Sequence, residues 1–278
     1  QTHRLAPKIV HVSLESILQN GWSMDHFAPV AADRHVMADA DAFIEQLLPA
    51  IKSRVGKARA PWLKGGAAAP RGFSDGAESE MVPHDIEALL AELKKEHPIT
   101  LAHTTIGWAS TDYPMEGPLD YLGHDGGAGL AAGPGLTIGA ALALRDSDRI
   151  VVGVLGDGDF LQGATALWTA AHYSIPCLFI VSNNRSNFND EVHQETVAKT
   201  RGRPVENRWV GQRIDDPAVD LAAIARAQGV DAIGPVNTLS ELRKAVKTGL
   251  DAVKNGKPFF IEARVKPGYA NIIVSRHG

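Results

Sequence analysis

The sequence predicts an α/β protein: an open, mostly parallel sheet with helices on both faces, preceded by the end of a second α/β domain. Three observations carry that prediction. Helix and strand patterns alternate from residue 81 to 268, the order that lays crossover helices over a parallel sheet. The strand-like runs are continuously apolar and rich in β-branched residues, as strands buried on both faces require. A stretch of Gly, Ala, Pro, Arg and Ser at residues 56–80 separates this region from a strand and a helix that cannot close a core alone.

At the N-terminus, residues 8–12 read as a short strand and residues 40–55 as a helix, with Phe43, Ile44, Leu47, Leu48 and Ile51 on one face. Residues 1–55 are therefore expected to be the trailing part of a central α/β domain, 56–80 a linker, 81–268 the main domain and 269–278 a tail. Within the main domain, 85–96 is an amphipathic helix, 100–105 a strand, 136–144 a helix and 149–155 a buried strand. Residues 164–172 then read as a helix, 177–182 as a strand, 220–228 and 239–253 as helices, and 258–265 as the last strand. The polar segment from Asn187 to Pro204 has no clear period and is expected to be a loop over the site.

Composition narrows the function. A chain of 278 residues, 44% hydrophobic and 22% charged, is long enough to bury a large core without a metal or disulfide staple. Cys177 is the one cysteine, so neither a disulfide nor a multi-cysteine metal site is available. A formal charge of −4 and a pI near 6.3 argue against nucleic-acid and membrane-surface partners, which call for a basic stripe. Residues 126–144 are 19 positions without a charge, but six glycines and Pro134 make them a backbone loop running into a buried helix, not a membrane span. The chain opens on Gln1 with no signal-peptide zones near it, and a piece of a longer cytoplasmic protein is expected.

The chemistry concentrates where the strand at 149–155 ends. There the chain reads Gly156-Asp157-Gly158-Asp159-Phe160, and after one more helix and strand it reaches Asn183-Asn184. Two such turns, one βαβ crossover apart, lie side by side at the carboxyl edge of the sheet, where open α/β folds bind ligands. Gly156 and Gly158 are expected to let the backbone bend sharply and approach a ligand, with a helix N-terminus suited to an anion behind them. Asp157 repels an anion unless a cation bridges the two. A hard ion such as Mg²⁺ takes a carboxylate, an amide oxygen and a main-chain carbonyl, which Asp157, the Asn184 side chain and the Ser186 carbonyl supply.

Gly-Asp-Gly, 24 intervening residues and Asn-Asn resemble the cofactor motif of thiamine diphosphate enzymes. The likeness continues through Thr165-Ala-Leu-Trp-Thr-Ala-Ala-His-Tyr-Ser-Ile-Pro176 and is greatest to the benzoylformate decarboxylase and acetolactate synthase branch. It covers residues 81–268 and implies the thiamine diphosphate-binding fold, with thiamine diphosphate held through Mg²⁺ on Asp157, Asn184 and Ser186. It implies that residues 127–135, including Gly129, form the glycine-rich loop beneath the cofactor, with Leu130 as the large apolar residue that bends it. His103, Thr104 and Thr105 end an earlier strand at the same edge, where their side chains reach the diphosphate or cap the fold. Asn187 and Phe188 follow the second turn. Asp159 stands where the family usually has an uncharged residue, so its carboxylate must be turned away from the diphosphate or lie near the metal. His124, beside the glycine-rich loop, is the candidate proton-transfer group.

The resemblance further implies a lyase or carboligase acting on a small 2-oxo acid, decarboxylase or acetolactate synthase-like, in a homodimer or homotetramer. The activating Glu sits on a pyrimidine-binding domain expected from the rest of the protein or from another chain. Two alternatives stay open: a non-catalytic or partner-dependent subunit, and a 2-hydroxyacyl-CoA lyase, for which no residue marks a nucleotide site. The glycines miss the Gly-x-Gly-x-x-Gly spacing of a dinucleotide fold, Gly256-Lys257 runs into Pro258, and the histidines show no metal-ligand pair on one helix. Most of the histidines are expected at the surface or in linkers.

Overall fold

A computed structural model describes residues 8–14, 32–55, 70–108, 112–123 and 129–268. The chain divides into two compact units, Gln1–Gly66 and Ala67–Gly278. In the first, β1 (Val10–Ser13) and β2 (Arg34–Met37) pair in parallel, with Val10 opposite Arg34. Helix α1 (Ala40–Arg54) starts at Asp39, whose carboxylate accepts the Ala42 N–H at 3.0 Å. No residue of α1 is buried, and of its predicted face Ile44, Leu47, Leu48 and Ile51 are exposed and Phe43 is partly exposed.

The second unit opens with α2 (Pro83–Leu93) and β3 (Ile99–His103), then α3 (Ala132–Ala143) and β4 (Ile150–Gly156). Two short helices, α4 (Asp157–Gly163) and α5 (Ala166–His172), lead to β5 (Leu178–Asn183) and α6 (Phe188–Thr200). The unit closes with α7 (Leu221–Ala227), β6 (Asp231–Val236), α8 (Leu239–Lys254) and β7 (Phe259–Arg264). Five strands form one parallel sheet in the order β3-β4-β5-β7-β6.

Side-chain alternation along buried strands feeds two cores. Val152, Val154 and Ile180 point to the face covered by Ile86 and Leu90 of α2 and by Leu242, Val246 and Leu250 of α8. Val151, Leu155, Phe179 and Val181 point to the other face, under Ile138 of α3, Leu167 of α5 and Leu221 of α7. Each such side chain contributes roughly 1.5–3 kcal/mol when taken out of water. Helices thus cover both faces, as the sequence predicts.

The close packing of α3 on β4 aims the start of α3 at the carboxyl edge. The Thr137 hydroxyl donates to the Gly133 carbonyl at 2.8 Å and lies over Gly153, where a Cβ would stand 2.0 Å from it. Helix α3 begins earlier than predicted, at Ala132. Pro134 fits there because its missing N–H falls in the first turn, where no intrahelical partner exists.

Four elements depart from the sequence reading, β2 being one that it does not foresee. Residues 188–200 are helix α6, not a loop. The helix has one buried residue, Glu191, so no apolar stripe marks it, and an exposed Glu195–Lys199 pair at 2.6 Å supports it instead. Strand β6 is hidden by Gly234-Pro235; a proline is tolerated because β6 is an edge strand paired only with β7. Helix α4 begins directly at Asp157, inside what reads as a glycine turn. Among the described residues no helix is long and apolar enough to cross a membrane.

Candidate functional site

The carboxyl ends of β3, β4 and β5 lie side by side, and each hands its chain to the same rim. At the end of β4 the Asp157 side chain is buried. It accepts the Gly158 N–H at 2.8 Å and, with its other oxygen, the Ser186 N–H at 3.0 Å. The Asn184 side-chain oxygen accepts that same Ser186 N–H at 2.9 Å. A carboxylate oxygen and an amide oxygen thus converge on the Ser186 N–H. This all-oxygen set suits a hard divalent cation. Burial pushes Asp157 up to about 6, against the lowering effect of its backbone hydrogen bonds.

The turn carrying Asn184 and Ser186 is braced from two sides. Asn183 donates to Glu262 of β7 at 2.8 Å and accepts the Arg185 N–H at 2.9 Å, which holds Arg185 at a left-handed φ of 59°. The Arg185 carbonyl accepts the Ile214 N–H at 2.9 Å, and the Asn187 N–H donates to the Gln212 carbonyl at 3.0 Å. Glu262 is fully buried and also accepts from the Ala222 N–H and from Arg264. The sequence reading missed it, although a carboxylate inside the apolar run Phe259–Arg264 is a visible signal.

A cavity of about 440 Å³ opens at this rim. His103, Thr104 and Thr105 line it from the end of β3, and Gly129 and Leu130 from the approach to α3. Gly156, Asp157, Gly158 and Asp159 form the β4–α4 side, and Asn184, Ser186, Asn187 and Phe188 the β5–α6 side. Ile106, Ser182, Asn189 and Asp190 also line it and were not foreseen. Asn189 and Asp190 lie in the first turn of α6, inside the polar segment that the sequence places over the site without singling them out. His124 and Gly127 lie outside the described residues.

The two glycines of the motif work differently from expectation. Neither has a left-handed φ, so neither is needed for a sharp bend. Gly158 provides space: a Cβ there would stand 2.1 Å from Asn187 Oδ1. Gly156 borders the cavity, and a Cβ there would meet no protein atom within 4 Å.

Asp159 is buried, with Oδ1 accepting the Ala131 N–H at 2.7 Å and Oδ2 3.5 Å from His103 Nε2. Its carboxylate therefore turns toward β3 and α3, away from the Asn184 and Ser186 side. Asp157, Asp159 and Asp190 against the single imidazole of His103 give the cavity an acidic lining, which favours a cation over a bare anion.

A second cavity of about 490 Å³ lies next to the first, sharing Pro83 and Gly268. His84 lines it and is buried, contrary to the surface or linker position expected of most histidines. With Glu87 and Asp112 it makes a group whose ligand atoms lie within 4.8 Å of one another. Arg71 already meets that group, 2.6 Å from Asp112 and 3.9 Å from Glu87. Burial works to raise the Asp112 pKa, but hydrogen bonds and charge from Arg71 hold it below the usual carboxylate range. The guanidinium thus supplies a positive charge to both carboxylates of the group.

Comparison with known proteins gives a family match over residues 103–263, described as "Thiamine pyrophosphate enzyme, C-terminal TPP binding domain". A benzoylformate decarboxylase of Pseudomonas aeruginosa is 35% identical over 134 residues, 48% of this chain and 22% of that protein. A phosphonopyruvate decarboxylase of Streptomyces viridochromogenes is 30% identical over 185 residues, 66% of this chain and 39% of that protein. The fold is shared with a thiamine diphosphate-dependent 4-hydroxybenzoylformate decarboxylase of Rhodococcus jostii RHA1, at a TM-score of 0.69 and 24% identity over 95% of this chain and 45% of that one. The chain spans less than half the length of each of these relatives.

Proposed function

Because the chain belongs to the thiamine pyrophosphate enzyme family, over its C-terminal cofactor-binding domain, we propose that it binds the diphosphate end of thiamine diphosphate through Mg²⁺ in a lyase or carboligase acting on a 2-oxo acid. The observation that carries this reading is the convergence of the Asp157 and Asn184 oxygens on the Ser186 amide at the rim of the cavity. When bound, thiamine diphosphate supplies the electron sink for breaking or making a bond next to a carbonyl carbon.

The chain's own residues supply binding and orientation. Asp157, Asn184 and the Ser186 carbonyl hold Mg²⁺, whose charge offsets the acidic lining. The hydroxyls of Thr104 and Thr105 donate to diphosphate oxygens. The open space over Gly156 leaves room for the ligand beside β4, while Asn187 and Phe188 close the wall opposite. Leu130, half-exposed in the cavity wall, is the apolar prop for the bent cofactor. His124 is the candidate for moving a proton to or from the substrate.

The pyrimidine-binding domain with its activating acid comes from the rest of the protein or from another chain, in a homodimer or homotetramer of the cytoplasm. Residues 1–55 are the trailing part of a central domain, joined by a linker at 56–80 to the binding domain at 81–268. The short span relative to full-length relatives also supports a second reading, a subunit that depends on a separate pyrimidine-binding chain. A 2-hydroxyacyl-CoA lyase would need a nucleotide site besides.

Titrating the intact protein with thiamine diphosphate and Mg²⁺, against an Asp157→Ala/Asn184→Ala double variant, tests the proposal. Loss of two direct metal ligands is expected to weaken binding roughly 100-fold or more, since even outer-shell changes cost about 10–100-fold. Wild-type affinity in the double variant would refute it.

A further inference from the structure

Asp159 follows Asp157 by two positions at the start of α4 and is buried, and its surroundings show what the carboxylate does. We propose that Asp159 is a positioning residue, which clamps the left-handed turn at Ala131 and thereby fixes Leu130 in the cavity wall. The proposal rests on the cofactor reading above for what Leu130 touches, but the clamp itself is a property of the protein alone.

Ala131 has φ 81° and ψ −11°, a left-handed conformation that a residue with a Cβ adopts only when its surroundings enforce it. Three contacts enforce it here. The Ala131 N–H donates to Asp159 Oδ1 at 2.7 Å. The Ala131 carbonyl presses on Gly163, where a Cβ would stand 2.5 Å from it. Two residues on, Gly133 lies against the carboxylate itself: a Cβ there would stand 2.2 Å from Asp159 Oδ2 and 3.1 Å from His103 Cδ2.

The carboxylate is thus enclosed between the end of β3, the first turn of α4 and the start of α3, with His103 facing its second oxygen at 3.5 Å. Leu130 is the residue immediately before the clamped turn and has no regular element to hold it. Releasing the Ala131 amide would free the Leu130 backbone to leave the wall. A shorter uncharged side chain at 159 lacks the oxygen that faces His103. Asp157 and Asp159 therefore divide the work of α4: one faces the metal corner and the other holds the apolar wall.

The test uses the intact protein and the variants Asp159→Asn, Asp159→Ala, Leu130→Ala and Asp159→Ala/Leu130→Ala. In ligand-free protein, amide hydrogen exchange at Ala131 is expected to rise about tenfold in Asp159→Ala, the loss of one ordinary hydrogen bond, and to stay near wild type in Asp159→Asn. With thiamine diphosphate and Mg²⁺ bound, exchange of the cofactor's reactive ring proton is expected to slow in Asp159→Ala and Leu130→Ala alike. The double variant is expected to be no slower than Leu130→Ala, because Asp159 acts through Leu130.

Unchanged Ala131 exchange in Asp159→Ala would overturn the clamp. So would independent, multiplying losses in the double variant, which would give Asp159 a role of its own. If wild-type protein bound no cofactor, the reading of the site would fail, and the ligand-free exchange experiment would still decide the clamp.

Discussion

Asp157 and Asp159 stand two positions apart at the start of α4 and meet opposite surroundings. Asp157 faces the β5 side, where backbone N–H groups and the Asn184 oxygen gather around Ser186. Asp159 faces the β3 side, where the Ala131 N–H donates to one of its oxygens and the His103 ring stands 3.5 Å from the other. The first corner gathers three oxygens on the Gly158 and Ser186 N–H groups, a set of donors that would suit a cation. The second pairs its carboxylate with protein groups, and its outcome is a fixed backbone.

The largest effect that sharpens this contrast is in pH. Burial raises Asp157 from the ordinary 3.8 to about 6, so the folded protein holds that proton more tightly than the unfolded chain does. The stability this group contributes is full below about pH 4 and is lost as pH rises through about 6, a fall of roughly 2–3 kcal/mol by pH 7. Thermal unfolding of ligand-free protein between pH 4 and 7 checks it. Asp157→Asn is expected to flatten the slope relative to wild type, and Mg²⁺ with thiamine diphosphate to oppose the fall, because a cation favours the carboxylate. A slope unaltered in Asp157→Asn would contradict the desolvated corner.

Next come the motif glycines. Gly158→Ala forces a Cβ against Asn187 Oδ1 and is expected to cost roughly 1–3 kcal/mol of stability. Gly156→Ala meets open space at an unstrained φ of −78°, so stability should hold within about 0.5 kcal/mol while cofactor affinity drops. Denaturant midpoints and cofactor titration together separate the two, and equal stability losses would blur the distinction between packing and ligand space.

The smallest effect lies behind the corner proposed to hold the metal. Glu262→Gln places an amide N–H₂ among the N–H donors of Asn183, Ala222 and Arg264, and about 1–2 kcal/mol should be lost from the turn that carries Asn184. A lower unfolding midpoint with a moderate loss of Mg²⁺ affinity is the expected pair of changes. Loss of stability alone would show that the brace does not reach the site.

These contrasts mark how far the sequence could be read. Strands β4 and β5 stand out because burial on both faces makes them continuously apolar, and the two turns at their ends follow from that. That Asp157, Asn184 and Ser186 meet at one corner is legible because adjacent parallel strands must bring their carboxyl ends together. The partners of Asp159 are not legible, since Ala131 lies 28 positions upstream and meets it only through the packing of α3 on β4. Helix α6 lacks an apolar stripe, and β6 carries the glycine and proline that an edge strand tolerates. Local pattern governs where burial is two-sided, and tertiary contact governs where it is not.

The division between the two carboxylates is tested most directly by Mg²⁺ titration, at saturating thiamine diphosphate, of wild type, Asp157→Ala and Asp159→Ala side by side. Asp157→Ala is expected to weaken Mg²⁺ binding by roughly tenfold or more, and Asp159→Ala, which removes a carboxylate turned toward His103, by a clearly smaller factor. Equal losses in the two variants, or a larger one in Asp159→Ala, would contradict the assignment of the metal to Asp157.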